Sequence, residues 1–420
     1  MSRIVLTTIG SLGDLHPTIA IGLELRDRNH DVVFATHQEY RTKIESIGFE
    51  FHAIRPNNPA IEDPELMARM MDRKKGTEFI VRDWIFGNLR QMYDDLLNIA
   101  QTADFMVAGD GVPAARVVAE KLGMKWAFFA LAPASFCSAY DPPELPVPLL
   151  AALSKFSFLG LIVNRGVMNL ARSMSRSWIE PMYQLRQELG LPAIAHPVFE
   201  GKYSPYLVLA LFSSILGKPQ PDWPANSAIA GFTFYDGKTG ETKIKPELQQ
   251  FLEAGEPPII FTLGSAAVLD PGNFYHESIQ VTQQLNRRAV LLMGKNPAPL
   301  DLPENIIAVD YVPYSAIFPQ TCAIVHQGGI GTTAQALRAG KPTLVMPYSH
   351  DQPDNAARVE RLGISRHIRR ENYTGQRVTR ELKELLENRK YTAKAAEIGR
   401  IVQAENGVSV ACDEIEKQLK

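Results

Sequence analysis

Apolar positions along this chain fall into short continuous runs that alternate with longer stretches of helical spacing, and the rhythm occurs twice. Residues 4–9, IVLTTI, read as a strand buried on both faces, followed by the turn Gly10-Ser11-Leu12-Gly13-Asp14 and a helical pattern through Leu25. A second strand is expected over 30–36, then a helix toward Ile47, a strand at 105–108, a helix over 114–122 and a strand at 126–130. Strand, glycine turn, helix and strand in that order open a doubly wound parallel sheet. The rhythm breaks at 219–236, PQPDWPANSAIAGFTFYD, whose clustered prolines and turn residues predict a connection and not a core element. It restarts with strands at 258–263, 289–293, 306–309, 323–325 and 342–346, and with a helix over 275–285. The expected organisation is an N-terminal Rossmann-like domain over 1–215, a linker over 216–235, a second Rossmann-like domain over 236–400 and a tail over 401–420.

Composition narrows the class. A chain of 420 residues exceeds one ordinary core and predicts two domains, and 45% hydrophobic with 21% charged residues are globular values. The net charge of −2 argues against a nucleic-acid partner, which calls for a basic excess. Cys137, Cys322 and Cys412 lie far apart and suggest neither a disulfide framework nor a zinc site. An N-terminus that runs directly into a strand predicts no signal peptide and a cytoplasmic location. The apolar run at 146–163, followed by Arg165, Arg172 and Arg176, leaves two readings open: helices lining an internal pocket, or a peripheral contact at a membrane surface. Lys155 and marginal length argue against a span.

The densest chemistry lies at 326–356, HQGGIGTTAQALRAGKPTLVMPYSHDQPDNA. A strand runs into His326, glycines at 328, 329 and 331 form a turn, and a helix is expected to open at Thr332-Thr333, with Thr able to cap it. Glycines admit close approach of a ligand, and the unpaired N–H groups of a first helical turn attract anions, a diphosphate above all. The next strand delivers Asp351-Gln352 to the same sheet edge, where a carboxylate and an amide suit sugar hydroxyls. The Asp-Gln-Pro-Asp run also reads as ordinary capping chemistry, and the two roles are compatible because a ligand would sit over that same helix N-terminus. The turn at 10–13 is no dinucleotide fingerprint: it lacks the third glycine, and Asp31 opens the next strand where the ribose acid belongs at its end.

The pattern HxGGxGTTxxALxxGxPxxxxPxxxDQ resembles the nucleotide-sugar signature of the UDP-glycosyltransferase superfamily. Within it the chain is most similar to the bacterial branch with rhamnosyltransferases of rhamnolipid synthesis, sterol glucosyltransferases and antibiotic glycosyltransferases. The resemblance runs from Ile4 to about Leu385 and implies a GT-B fold: α/β, with two doubly wound Rossmann-like domains facing across a cleft, and a final helix returning to the first domain. It implies an inverting glycosyltransferase that moves a hexose from a nucleotide diphosphate sugar, UDP-glucose or another UDP- or dTDP-sugar, to a hydroxyl. Ser265, His326, Gly328, Gly331, Thr332 and Thr333 are carried over as diphosphate contacts, Tyr311 and Val312 as base contacts, and Asp351 and Gln352 as sugar contacts, with Asn355 supporting that loop. Many plant relatives have Trp at the place of Tyr311.

Glycosyl transfer also needs a base for the incoming hydroxyl. Asp14 is the candidate, since several bacterial relatives carry Asp where plant and animal relatives carry His; His16 is the alternative base or a tuner of Asp14. A carboxylate serves only with a raised pKa or a late proton transfer, and an N-cap role is the bland reading of Asp14. Asp110 lies one residue off the family's acidic partner and is not carried over. No D-x-D triplet occurs, so neither metal nor cofactor is expected. The apolar segment 128–182, with Phe129, Phe136, Tyr140, Phe156 and Phe158, reads either as a pocket for a lipophilic small molecule or lipid acceptor or as ordinary core. Two other classes remain on the sequence: a nucleotide-sugar epimerase of the same fold, and a non-catalytic nucleotide-sugar-binding helper protein.

Overall fold

A computed structural model of the chain describes residues 1–57, 63–144, 157–237 and 244–420. The described residues divide into two compact units. The first lies within Met1–Pro59, Lys75–Phe234 and Asn406–Lys420, the second within Ala60–Lys74 and Tyr235–Glu405.

The first unit is built on a seven-stranded sheet: β1 (Arg3–Thr7), β2 (Asp31–Thr36), β3 (Glu50–Ala53), β4 (Phe105–Gly109), β5 (Trp126–Ala130), β6 (Leu207–Ala210) and β7 (Ser227–Ile229). The order is β3-β2-β1-β4-β5-β6-β7, and every pairing is parallel. Val5, Leu6, Val33, Phe34, Phe105 and Val107 are wholly buried, as strands covered on both faces require. The helix Leu12–Asp27 packs Leu15, Ile19 and Leu25 inward, and Gly22 lets Phe34 approach where a Cβ would lie 2.8 Å from its ring. The helix Gly407–Leu419 lies on this same helix, with the thiol of Cys412 3.7 Å from the carbonyl of Ile21.

One expectation needs correction. The proline-rich stretch 219–236 is not free of core structure, because β7 pairs with β6 inside it and Trp223 stacks on Phe136 at 3.8 Å. Asp222 fastens the stretch further, accepting hydrogen bonds from Ser138 Oγ at 2.6 Å and Ala139 N at 2.7 Å. Three half-buried residues between turns make too short a run to announce a strand.

The second unit carries β8 (Ile259–Thr262), β9 (Ala289–Leu292), β10 (Ile306–Val309), β11 (Ala323–His326), β12 (Thr343–Val345) and β13 (Ser365–His367). All pair in parallel, in the order β10-β9-β8-β11-β12-β13. Strand order reverses between β8 and β11 here, and between β1 and β4 in the first unit. At such a switch point the loops leaving two neighbouring strands part and open a crevice. The apolar run at 146–163 lies mostly outside the described residues, and none of the described helices is long and apolar enough to cross a membrane.

Candidate functional site

At the switch point of the second sheet, β11 ends in His326, which is wholly buried. Its Nδ1 accepts a hydrogen bond from the Gly328 N–H at 3.0 Å, so the ring proton resides on Nε2. Burial pulls its pKa down to about 3, which makes His326 a neutral donor. That Nε2 is buried with no hydrogen-bond partner among the described residues, as are Thr333 Oγ1 and Gln327 Oε1. Buried polar atoms left this way cost about 1–3 kcal/mol each unless something meets them.

The helix after the turn is Ile330–Ala339, capped by Gly329 with no side-chain bond. It therefore starts earlier than the expected opening at Thr332, and neither threonine caps it. Gly331 and Thr332 instead lie in the first turn, whose N–H groups lack intrahelical partners. Gly328 has φ +87°, and a Cβ there would meet Val345 Cγ1 at 2.8 Å and the Gln352 carbonyl at 3.1 Å, so glycine is required twice over.

Gly264 and exposed Ser265 leave β8 on the other side of the switch point. The amide of Gln327, which sequence reasoning passed over, fills the space a Cβ on Gly264 would need and lies 2.7 Å from a Cβ built on Gly329. It thus packs the two glycine turns against each other. Beyond β10, Tyr311 is 66% exposed, whereas the side chain of Val312 is buried in the core. An exposed ring followed by an anchored residue offers a face for stacking.

Asp351 is the N-cap residue of the helix Gln352–Arg361 by position, but its side chain makes no capping hydrogen bond, and Asp354 lies in the first turn. The Asp351 carboxylate accepts from Asn355 Nδ2 at 2.8 Å, and the same amide nitrogen donates to the Gly328 carbonyl at 2.9 Å. Asn355 is wholly buried and so ties the glycine turn to the Asp-Gln loop. Gln352 gives its Oε1 to the Tyr348 N–H at 2.9 Å, which commits the carbonyl end of that amide to the loop.

Asp14 lies beyond the carboxyl end of β1, in the first unit. It is not the N-cap of its helix. Ser11 is, and Asp14 closes a capping box from the third helical position, accepting from Ser11 N at 2.8 Å and Ser11 Oγ at 3.2 Å. Burial raises its pKa to about 6 against the pull of the Ser11 bonds, with the charge of Asp110 adding to the rise. His16 stands two residues on, where helical positions do not share a face, and burial with help from Lys43 holds it down to about 4.

The loop bearing Asp14 is held by residues that sequence reasoning missed. His37 Nε2 accepts from Gly10 N at 2.9 Å, and Tyr40 donates its hydroxyl to the Gly10 carbonyl at 2.9 Å. Gly10 has φ +132°, and a Cβ there would run into the Asp14 carboxyl, 2.7 Å from Cγ. Asp110, set aside on register, stands beyond β4 on the other side of this switch point. Both of its oxygens accept from Lys202 Nζ, at 2.9 and 2.8 Å.

The expected acceptor aromatics divide. Phe129 is buried in β5 and Phe136 is stacked on Trp223, so both are core, whereas Tyr140 is exposed with Arg165 5.9 Å from its ring centre. Phe156 and the side chain of Phe158 lie outside the described residues.

Comparison with known proteins adds to this geometry. The model of the glycosyltransferase family 28 N-terminal domain matches residues 4–130, and that of the erythromycin biosynthesis protein CIII-like C-terminal domain matches residues 283–419. The sterol 3-beta-glucosyltransferase of Komagataella phaffii is 30% identical over 97% of this chain, which spans 34% of that protein. The chain thus covers about a third of the length of this curated relative. The O-mycaminosyltylonolide 6-deoxyallosyltransferase of Streptomyces fradiae is 28% identical over 99% of this chain and 97% of its own. The solved glycotransferase of kitacinnamycin shares the fold at a TM-score of 0.73, with 22% identity over 100% of this chain and 99% of that one.

Proposed function

Because the chain belongs to the UDP-glycosyltransferase superfamily of GT-B fold, we propose that it transfers a hexose from a nucleotide diphosphate sugar to a hydroxyl of a lipophilic small molecule or lipid. The observation that carries this reading is the buried, neutral His326 with its unmet Nε2–H, at the head of a helix whose first turn has no side-chain cap. Donors without a partner at a switch point suit a diphosphate. They act without a metal: the helix end supplies partial positive charge, and His326 and Thr333 supply donors.

The reaction is a single displacement with inversion. The acceptor oxygen bonds to the anomeric carbon as the bond from that carbon to the diphosphate oxygen breaks. The acceptor proton passes to Asp14, whose raised pKa suits the task, and the nucleoside diphosphate leaves with the charge stabilised at the His326 turn. Tyr311 stacks on the base, and Asp351 with the amide nitrogen of Gln352 takes the sugar hydroxyls. A lipophilic acceptor is supported by the sterol and macrolide relatives; the aromatics of β5 and its following turn do not add to it.

The test is a thermal-shift panel on the full chain. UDP or dTDP should raise Tm in the presence of EDTA, since ligand at a hundred times Kd stabilises by about 2.7 kcal/mol. NAD should not. Stabilisation that needs Mg²⁺ would remove the metal-free turn, and stabilisation by NAD alone would overturn the reading.

A further inference from the structure

The second sheet has another concave site, at the edge opposite the glycine turns. Here the chain enters β8 after Pro257, β11 after Thr321 and Cys322, and β12 after Lys341. A cavity of about 670 Å³ lies between these entries and the helices Gly375–Glu387 and Arg389–Ala404. Its floor is free of side-chain bulk because Gly340 and Gly399 meet there; a Cβ on Gly399 would lie 2.7 Å from Gly340 Cα.

The charge of this cavity is one-sided. Arg287, Lys341 and Arg400 line it, no Asp or Glu does, and among the described residues none of the three cations has an ion-pair partner. Cations often gather where helices end, since each carboxyl terminus carries about half a negative charge. Two helices end here, at Gly340 and near Leu386, which offsets about one of three positive charges. An excess remains. Burial pulls the Lys341 ammonium below its usual pKa, so the charge is partly desolvated and gains from an anion brought close.

We propose that this cavity is an anion site for a phosphomonoester, free or as the headgroup of an acidic lipid, held by Arg287, Lys341 and Arg400. The guanidinium groups match phosphate oxygens in pairs, and Lys341 adds a point charge from the strand entry. The glycine turns at the other edge of the sheet are the place proposed for the nucleoside diphosphate. The site is independent of the proposed activity.

Cys322 lines the cavity and reports on it directly. In the full chain with UDP present in excess, the rate of Cys322 alkylation by iodoacetamide is followed by peptide mass spectrometry, with the half-buried Cys137 as internal reference. Glycerol 3-phosphate at ten times its Kd should slow Cys322 about tenfold and leave the reference unchanged. Vesicles of phosphatidylcholine with a fifth of phosphatidic acid form the second arm, against phosphatidylcholine alone. Protection by glycerol 3-phosphate assigns a free phosphomonoester, and protection by the acidic vesicles alone assigns a lipid headgroup. The K341Q/R400Q variant should lose the protection while keeping the wild-type far-UV circular dichroism spectrum and a cooperative thermal transition, which show that it is folded. Absence of protection in both arms, or protection retained in that variant, overturns the proposal.

Discussion

Asp14 binds its proton more tightly in the folded chain than a free carboxyl does, and the sign of this shift makes two expectations. As a base it must be ionised, so kcat/KM should fall as pH drops through about 6, a limb absent in Asp14→Asn. For stability the direction is opposite: the contribution is present below the usual carboxylate range and is lost as pH rises through about 6. Urea titrations of wild type and Asp14→Asn between pH 4 and 7 should show the wild type losing ground with rising pH. His326 is neutral and donates through Nε2, so His326→Ala should weaken UDP or dTDP binding about 10- to 100-fold, the worth of one bond to a charged group, readable by calorimetry. An unchanged Kd would remove it from the turn. The positions of His326 at the end of one strand and Asp14 beyond another were legible because each sits beside glycines after an apolar run, while the roles proposed for them came from the resemblance. Gln327, His37 and Tyr40 were not legible, since their work depends on atoms of another loop or strand, which no local pattern encodes.

At the scale of turns, two glycines carry the arrangement for steric reasons that can be tested apart from the chemistry. Gly10→Ala places a methyl against the Asp14 carboxyl in a backbone region that disfavours a side chain. It should lower kcat with nucleotide affinity intact. Gly328→Ala meets Val345 and the Gln352 carbonyl, so it should weaken nucleotide binding instead. Either variant with wild-type kinetics and affinity would show that its turn adapts without loss. The strands that frame these turns were readable because sheets buried on both faces make nearly continuous apolar runs, as in β5 and β11. Helix starts were less so. The helix expected from Thr332 begins at Ile330, because a glycine N-cap leaves no polar signature of its own.

For the molecule as a whole, the first unit recruits the last fifteen residues, Asn406–Lys420. Arg28 binds Asp413 at 2.6 Å and Glu416 at 2.8 Å, while Gly407 packs where a Cβ would meet the Gly231 carbonyl carbon at 2.7 Å. Arg28→Ala should cost about 1 kcal/mol, a fall of a few degrees in Tm, since the pairs are only partly shielded from solvent. That this helix belongs with the first unit came from the resemblance and not from its spacing, which shows only that it is amphipathic. The central claim is that the chain moves a sugar with Asp14 as base, and the direct measurement is turnover of UDP- and dTDP-sugars, with a sterol or macrolide acceptor and by donor hydrolysis, for wild type beside Asp14→Asn. The account predicts product in the wild type, a loss of about a hundredfold or more in the variant, and equal nucleotide affinity in both. Full turnover by Asp14→Asn would contradict it.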